Sequence, residues 1–173
     1  MIRQTSPDKI RGKLVRYQPG DCFAIHLRGQ YIGAIMTGKF NKYYNLTLGD
    51  FKMTDQPTIA TFVNGKIFGT RFGSWEELTY GVDQKMIECK YVDNNDQIQR
   101  VGTLKLISNF VSAGYSYLNS IDEIFGYYDQ EIKVRIEKSN DAERFPAIAF
   151  VGKHLIETNK VIQHSDDSNK EAS

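Results

Sequence analysis

Apolar and polar residues alternate mostly with period two, or fall in short apolar runs, and both patterns predict strands. Across residues 21–27, Phe23, Ile25 and Leu27 share one face while Cys22, Ala24 and His26 share the other. Arg28-Gly29 then predicts a short turn, with the glycine taking a positive φ, and residues 31–36 return as a second strand. Gly33, Ala34 and Gly38 point to a close backbone approach or a bulge there. Residues 58–63, Asn64-Gly65 and residues 66–72 read as a hairpin, because Asn-Gly is the favoured pair of a type I′ turn. In that register Phe62 faces Ile67 and Thr61 faces Phe68, which places the hairpin well inside the fold. Residues 86–92 and 98–107 predict another hairpin around a turn at 93–96, with Cys89 on the buried side. Residues 130–137 alternate strongly, Ile132, Val134 and Ile136 inwards against Lys133 and Arg135 outwards. Residues 146–151 give one more short strand.

Helix signals are fewer. Ser120 and Glu123 fit a capping box, with Ile121, Ile124 and Phe125 as an apolar face and Gly126 as a stop. Ser74-Trp75-Glu76-Glu77 is a poorer version of the same cap. The expected fold is α+β and predominantly β: a strongly curved antiparallel sheet or partly open barrel with one or two short helices. The chain has 173 residues, which suits one β-rich domain over residues 1–162. Residues 163–173 hold no large apolar side chain and read as a disordered polar tail. No stretch approaches the ~18 apolar residues of a membrane helix, and the first ten residues lack a signal-peptide core. The expectation is therefore a cytoplasmic protein whose two cysteines, Cys22 and Cys89, are reduced and packed.

Charge changes this picture only when it is divided along the chain. The totals nearly cancel, 22 Lys+Arg against 21 Asp+Glu. Residues 1–42 carry eight basic and two acidic groups, a net of +6, so residues 43–173 carry −5. A fold that kept the two segments apart would present faces of opposite sign. The basic segment is interleaved with Tyr17, Phe23, Tyr31 and Phe40, a composition that a barrel binding single-stranded nucleic acid uses. The segment 122–131 has the opposite character. Asp122, Glu123, Tyr127, Tyr128, Asp129 and Glu131 combine carboxylates, which steer a basic partner, with the tyrosines that protein interfaces favour. These six are the candidate partner-binding residues.

Catalytic and metal chemistry find little footing. Cys22 and His26 are four residues apart, which on a strand separates their Cα atoms by roughly 13 Å, too far for shared ligation. His154 and His164 stand alone, and neither HExxH nor CxxC occurs. Gly65-Lys66 and Gly69-Thr70 lack the order of a phosphate-binding loop. The acidic pairs Glu76-Glu77 and Asp122-Glu123 suit helix starts. No enzymatic role, metal or cofactor is expected; a hydrolase or isomerase would need converging titratable groups that spacing does not reveal.

The run Tyr17-Gln18-Pro19-Gly20-Asp21-Cys22-Phe23-Ala24-Ile25-His26-Leu27, followed by Gly29, Tyr31, Gly33 and Ile35, is more specific. It resembles the opening of immunity protein family twenty-six of bacterial polymorphic toxin systems. Members of that family open with a Gly-Asp turn, a hydrophobic strand, a short turn, and a second strand with an aromatic residue before a glycine. Gly20, Asp21, Phe23, Ala24, Ile25, Leu27, Tyr31 and Gly33 fit, whereas His26 stands where proline is usual. The likeness covers about residues 12–40 closely and residues up to about 108 loosely. It implies a cytoplasmic antitoxin that binds and neutralises a cognate toxin. The motif residues themselves read as structural: a Pro-Gly turn, a capping aspartate and a core-forming strand.

Overall fold

In the computed structural model, the Arg28-Gly29 turn joins β3 (Asp21–Leu27) to β4 (Gln30–Phe40) with positive φ at both positions, 51° and 78°. That is the backbone of a two-residue hairpin turn whose twist matches its strands. The structure describes residues 9–10, 13–14, 17–74, 77–107, 111–144 and 152–163. Before β3, the two-residue strands β1 (Lys9–Ile10) and β2 (Lys13–Leu14) pair only with each other. After β4 come β5 (Tyr43–Met53), α1 (Ile59–Val63), β6 (Lys66–Ser74), β7 (Glu77–Glu88) and α2 (Cys89–Asp93). The chain continues through β8 (Ile98–Thr103), β9 (Val111–Tyr117), the helix α3 (Ile121–Arg144), β10 (Gly152–Glu157) and a 3₁₀ turn at Thr158–Lys160.

Eight strands form one sheet in the order β10-β6-β7-β5-β4-β3-β8, with β9 added to β7. Strand accounts for 50% of the structure and helix for 28%, and the sheet curls into a half-barrel, so the fold is predominantly β. Every pairing is antiparallel except β7 with β9, which makes the sheet mixed. The curl has local causes. The β4–β5 register shifts twice, with two extra residues on β5 opposite Ile32–Ala34 and one extra on β4 between Met36 and Gly38, and such insertions bend the strands. Gly33 sits at the first shift because the Phe51 and Phe62 rings, 5.1 Å apart, press onto its Cα; a Cβ there would lie 2.7 Å from Phe62 Cζ. Gly20 (φ 99°) lets its amide reach Met36 O at 2.7 Å and its carbonyl accept from Leu104 N at 2.8 Å. Asp21 caps this turn by accepting from Gln18 N at 2.8 Å.

Both faces of the sheet are covered. Phe23, Ile25, Ile32, Met36, Tyr44, Leu46, Leu48 and Phe68 pack on one face with Ile121, Ile124, Phe125 and Tyr128 of α3. Cys22, Ile35, Ile67, Val82 and Ile156 pack on the other face, where Phe62 of α1 and Leu104, Val161 and Ile162 cover them. Adjacent residues of β3, β4 and β6 thus serve opposite cores, which is why these strands are apolar on both sides.

Four sequence expectations change. Residues 58–63 are helix α1 rather than the first arm of a hairpin: Thr58 N donates to Thr61 Oγ1 at 3.0 Å, and Asn64 is right-handed (φ −86°), closing the helix instead of a type I′ turn. Phe62 nevertheless meets Ile67 in one cluster. β7 ends at Glu88 and Cys89 opens α2, so residues 98–103 pair with β3 instead of with 86–92. Ser74 and Glu77 are cross-strand partners in the β6–β7 hairpin, not a helix cap. Residues 130–137 lie within the 24-residue α3, longer than the short helices expected, and Gly126 lies inside it instead of ending it. The strand expected at 146–151 and the tail from residue 164 onward lie outside the described residues. Among the described residues no helix is long and apolar enough to cross a membrane.

Candidate functional site

The segment 122–131 forms the first turns of α3, and its side chains divide between surface and core. Ser120 Oγ accepts from Glu123 N at 3.1 Å, while Glu123 Oε1 accepts from Asn119 N at 2.8 Å, one residue earlier than in a standard capping box. Asp122 is exposed and pairs with Arg28 at 3.1 Å; Asp129 is exposed and pairs with Lys52 at 2.9 Å. Both bridges tie the helix to the rims of the half-barrel. Tyr128 is buried and stacks on Phe68, and Tyr127 is half-buried with its ring edge-on to the same Phe68. Burial pushes both hydroxyls up to about 12, so they stay neutral. Glu131 is also inside. Of the six predicted residues, Asp122, Glu123 and Asp129 therefore face solvent, and Tyr127, Tyr128 and Glu131 serve the interior.

Glu131 belongs to a charged network the sequence pattern did not reveal. Arg135, predicted to point outwards, is 2% exposed. Its guanidinium meets Asp83 at 2.8 Å and Glu131 at 3.0 Å, and donates to Gly69 O at 2.6 Å, His154 O at 3.2 Å and Tyr127 Oη at 3.2 Å. It also lies 4.6 Å over the Phe68 ring. Lys153 closes on the free oxygen of Glu131 at 2.6 Å, and Thr70 Oγ1 donates to Asp83 at 2.7 Å. A planar fork with five donors is the side chain that satisfies this many acceptors at once. Val134 and Ile136, predicted inwards, are exposed at 40% and 45%.

One turn further along α3, a half-open cleft of about 200 Å³ is lined by Lys66, Tyr80, Ser139, His154, Glu157 and Lys160. Burial, then the nearby charges of Arg71, Lys66 and Arg135, push the His154 imidazole down to about 4. Ser139 Oγ lies 3.3 Å from His154 Nδ1 and accepts from Leu155 N at 2.9 Å. A neutral imidazole beside a hydroxyl resembles a nucleophile and its base, but here the hydroxyl is buried and engaged by the β10 backbone, so the pair fastens α3 to β10.

The strand reading of Cys22 and His26 holds in its geometry, whereas His154 does not stand alone and His164 lies outside the described residues. Cys22 and His26 are both on β3; the thiol is fully buried, donates to Gly20 O at 3.5 Å, and is pushed up to about 12 by burial and then by Asp21. His26 is half-exposed beside Tyr31. Both cysteines are free thiols, Cys89 half-buried. Among the described residues no three His, Cys, Asp or Glu side chains group as metal ligands would.

A second surface was not anticipated as a unit. At the two-residue Asn41-Lys42 turn, where Asn41 takes φ 55°, Phe40 and Tyr43 are cross-strand partners. Tyr44, the next residue, is in the core beneath α3, so Phe40 and Tyr43 lie on the face of the sheet away from α3. Phe40 is 62% exposed and Tyr117, at the end of β9, is 55% exposed. The Tyr43 and Tyr117 rings meet edge to face at 5.1 Å. Lys42 lies over the Tyr43 ring and Lys90 over the Tyr91 ring, and both ammoniums approach Glu88, at 3.4 and 3.9 Å. The alternation of Tyr44, Leu46 and Leu48 signals β5, yet nothing in spacing joins its tip to Tyr117. Compared with protein-family models, with curated proteins and with solved structures, the chain has no match.

Proposed function

We propose that this chain is an immunity protein: a cytoplasmic antitoxin that neutralises a cognate bacterial toxin by one-to-one binding, without catalysis or cofactor. The strand-turn-strand likeness of residues 17–35 suggests the role. The observation that carries binding as the mode of action is the exposure of Phe40 and Tyr117, the two most exposed of the described aromatic rings, most of which are buried or half-buried. Large aromatic side chains left in water at one spot are what a protein partner buries on association.

The alternative, a small barrel that binds single-stranded nucleic acid through its first forty residues, keeps Lys39, Phe40 and Lys42 at the β4–β5 tip. It loses Tyr17 and Phe23, which are buried and have no ring face to offer. The reading expects a gene for a toxin-bearing protein beside this one, which an isolated gene would contradict, and the test is co-expression of the chain with that toxin domain. Survival with the chain, death without it, and a purified complex of 1:1 mass are the expected results. A chain that neither rescues growth nor binds that toxin domain overturns the reading.

A further inference from the structure

We propose that the β4–β5 tip and the end of β9 form the docking surface, and that it receives an acidic patch on a protein partner; this rests on the binding function proposed above. Phe40, Tyr43 and Tyr117 supply the apolar centre. Two of the three rings are already fixed, since Tyr43 and Tyr117 hold each other at 5.1 Å. Fixed rings lose little conformational freedom on binding, which is what makes aromatic anchors effective. The centre is supported by β5 and β7, whose register sets Tyr43 opposite Glu88, and by β9, which sets Tyr117 opposite Met86.

The charge around this centre chooses the partner. Lys42 and Lys90 flank the rings and share the single carboxylate of Glu88, and exposed Lys39 extends the positive rim on the other side of the tip. Three ammoniums outnumber the nearby carboxylates of Glu88 and Asp93, the latter accepting from Tyr44 Oη at 2.6 Å, and so attract an acidic surface. They also oppose pairing with a second copy of the same tip, which would set lysine against lysine. A nucleic-acid strand fits less well. Successive bases need open ring faces, and the edge-to-face contact of Tyr43 with Tyr117 already engages two of the three rings. The predicted acidic residues of α3 lie across the sheet from this surface, with Asp122 and Asp129 held by Arg28 and Lys52.

The experiment titrates the purified toxin domain encoded beside the gene against four forms of the full chain by calorimetry, with thermal melts to show that each is folded. Phe40→Ala with Tyr117→Ala is expected to weaken binding by about 30-fold or more, as truncation of a central aromatic anchor does. Lys42→Glu with Lys90→Glu is expected to weaken it by about tenfold or more and to flatten its dependence on salt. Asp122→Asn with Asp129→Asn is expected to bind as the unmodified chain does. If the unmodified chain binds and rescues but the first two variants match it, this surface is wrong while the immunity reading stands. If the unmodified chain binds no toxin domain, both fall. Salt-steep binding of an oligothymidylate, lost in the aromatic variant, would replace the protein partner with nucleic acid.

Discussion

Arg135 keeps a full charge out of water because its acceptors are arranged on every side of the guanidinium. Asp83 and Glu131 balance the charge, and the carbonyls of Gly69 and His154 take the remaining donors. A buried pair of this kind gains little over an apolar isostere, but removing one partner strands the others. Arg135→Leu is expected to cost about 3–5 kcal/mol of stability, since Asp83 and Glu131 would face each other inside the fold. Urea unfolding measures this, and a loss under 1 kcal/mol would mean that the carboxylates find water or lysine instead. Gly126 is the opposite case. It lies in the interior of α3, and a Cβ built on it meets nothing within 4 Å. Gly126→Ala removes backbone freedom from the unfolded chain without a clash and is expected to stabilise by about 0.5–1 kcal/mol. An unchanged or lower midpoint in the same titration would contradict it.

The element least legible in the sequence is α3, and the reason is physical. Its buried positions, Ile121, Ile124, Phe125, Tyr128, Glu131, Arg135 and Ser139, keep helical spacing, but the last three are polar. A hydrophobic pattern cannot find a face that is buried through ion pairs, so the alternation of Ile132, Val134 and Ile136 read as a strand. The strands β3 and β4 were legible because their two apolar faces and the Arg28-Gly29 turn are local facts. β9 was not, since its parallel pairing with β7 is fixed by tertiary contact. The site followed the same division: the capping of α3 was visible, whereas the joining of Phe40 to Tyr117 required the sheet. The junction of α3 with β10 also makes stability depend on pH. His154 titrates near 4 in the fold and near 6.5 as an unperturbed side chain, so the unfolded chain takes up the proton first. Its contribution is complete above pH 6.5, falls as pH drops from 6.5 towards 4, and amounts to about 3 kcal/mol at most. Unfolding curves at pH 7, 5.5 and 4 should diverge less for His154→Gln than for the unmodified chain. Equal divergence would place the effect in other groups.

Over the whole molecule, the near-zero net charge arises by interleaving of signs where the side chains are described. Arg28 from the basic first quarter pairs with Asp122, and Lys42 pairs with Glu88, so the two segments cancel in part where these described side chains meet. Lys52 and Asp129, both from the later segment, pair at the other rim of α3. Exposed pairs of this kind contribute about 0–1 kcal/mol each and are screened by salt. The apolar contacts of Ile121, Ile124, Phe125 and Tyr128 therefore hold the helix, and the bridges adjust its seat. Asp122→Asn with Asp129→Asn is accordingly expected to lower stability by less than about 2 kcal/mol in low salt, and by less still in 1 M salt. That makes the pair the fair probe of whether α3 contacts a toxin. Changing Glu131 as well would break the Arg135 network and confuse loss of binding with loss of fold. If the double variant unfolds cooperatively at a nearly unchanged denaturant midpoint yet fails to rescue toxin-expressing cells, the acidic face of α3 takes part in binding. If it rescues as the unmodified chain does, binding belongs to the aromatic tip on the opposite face.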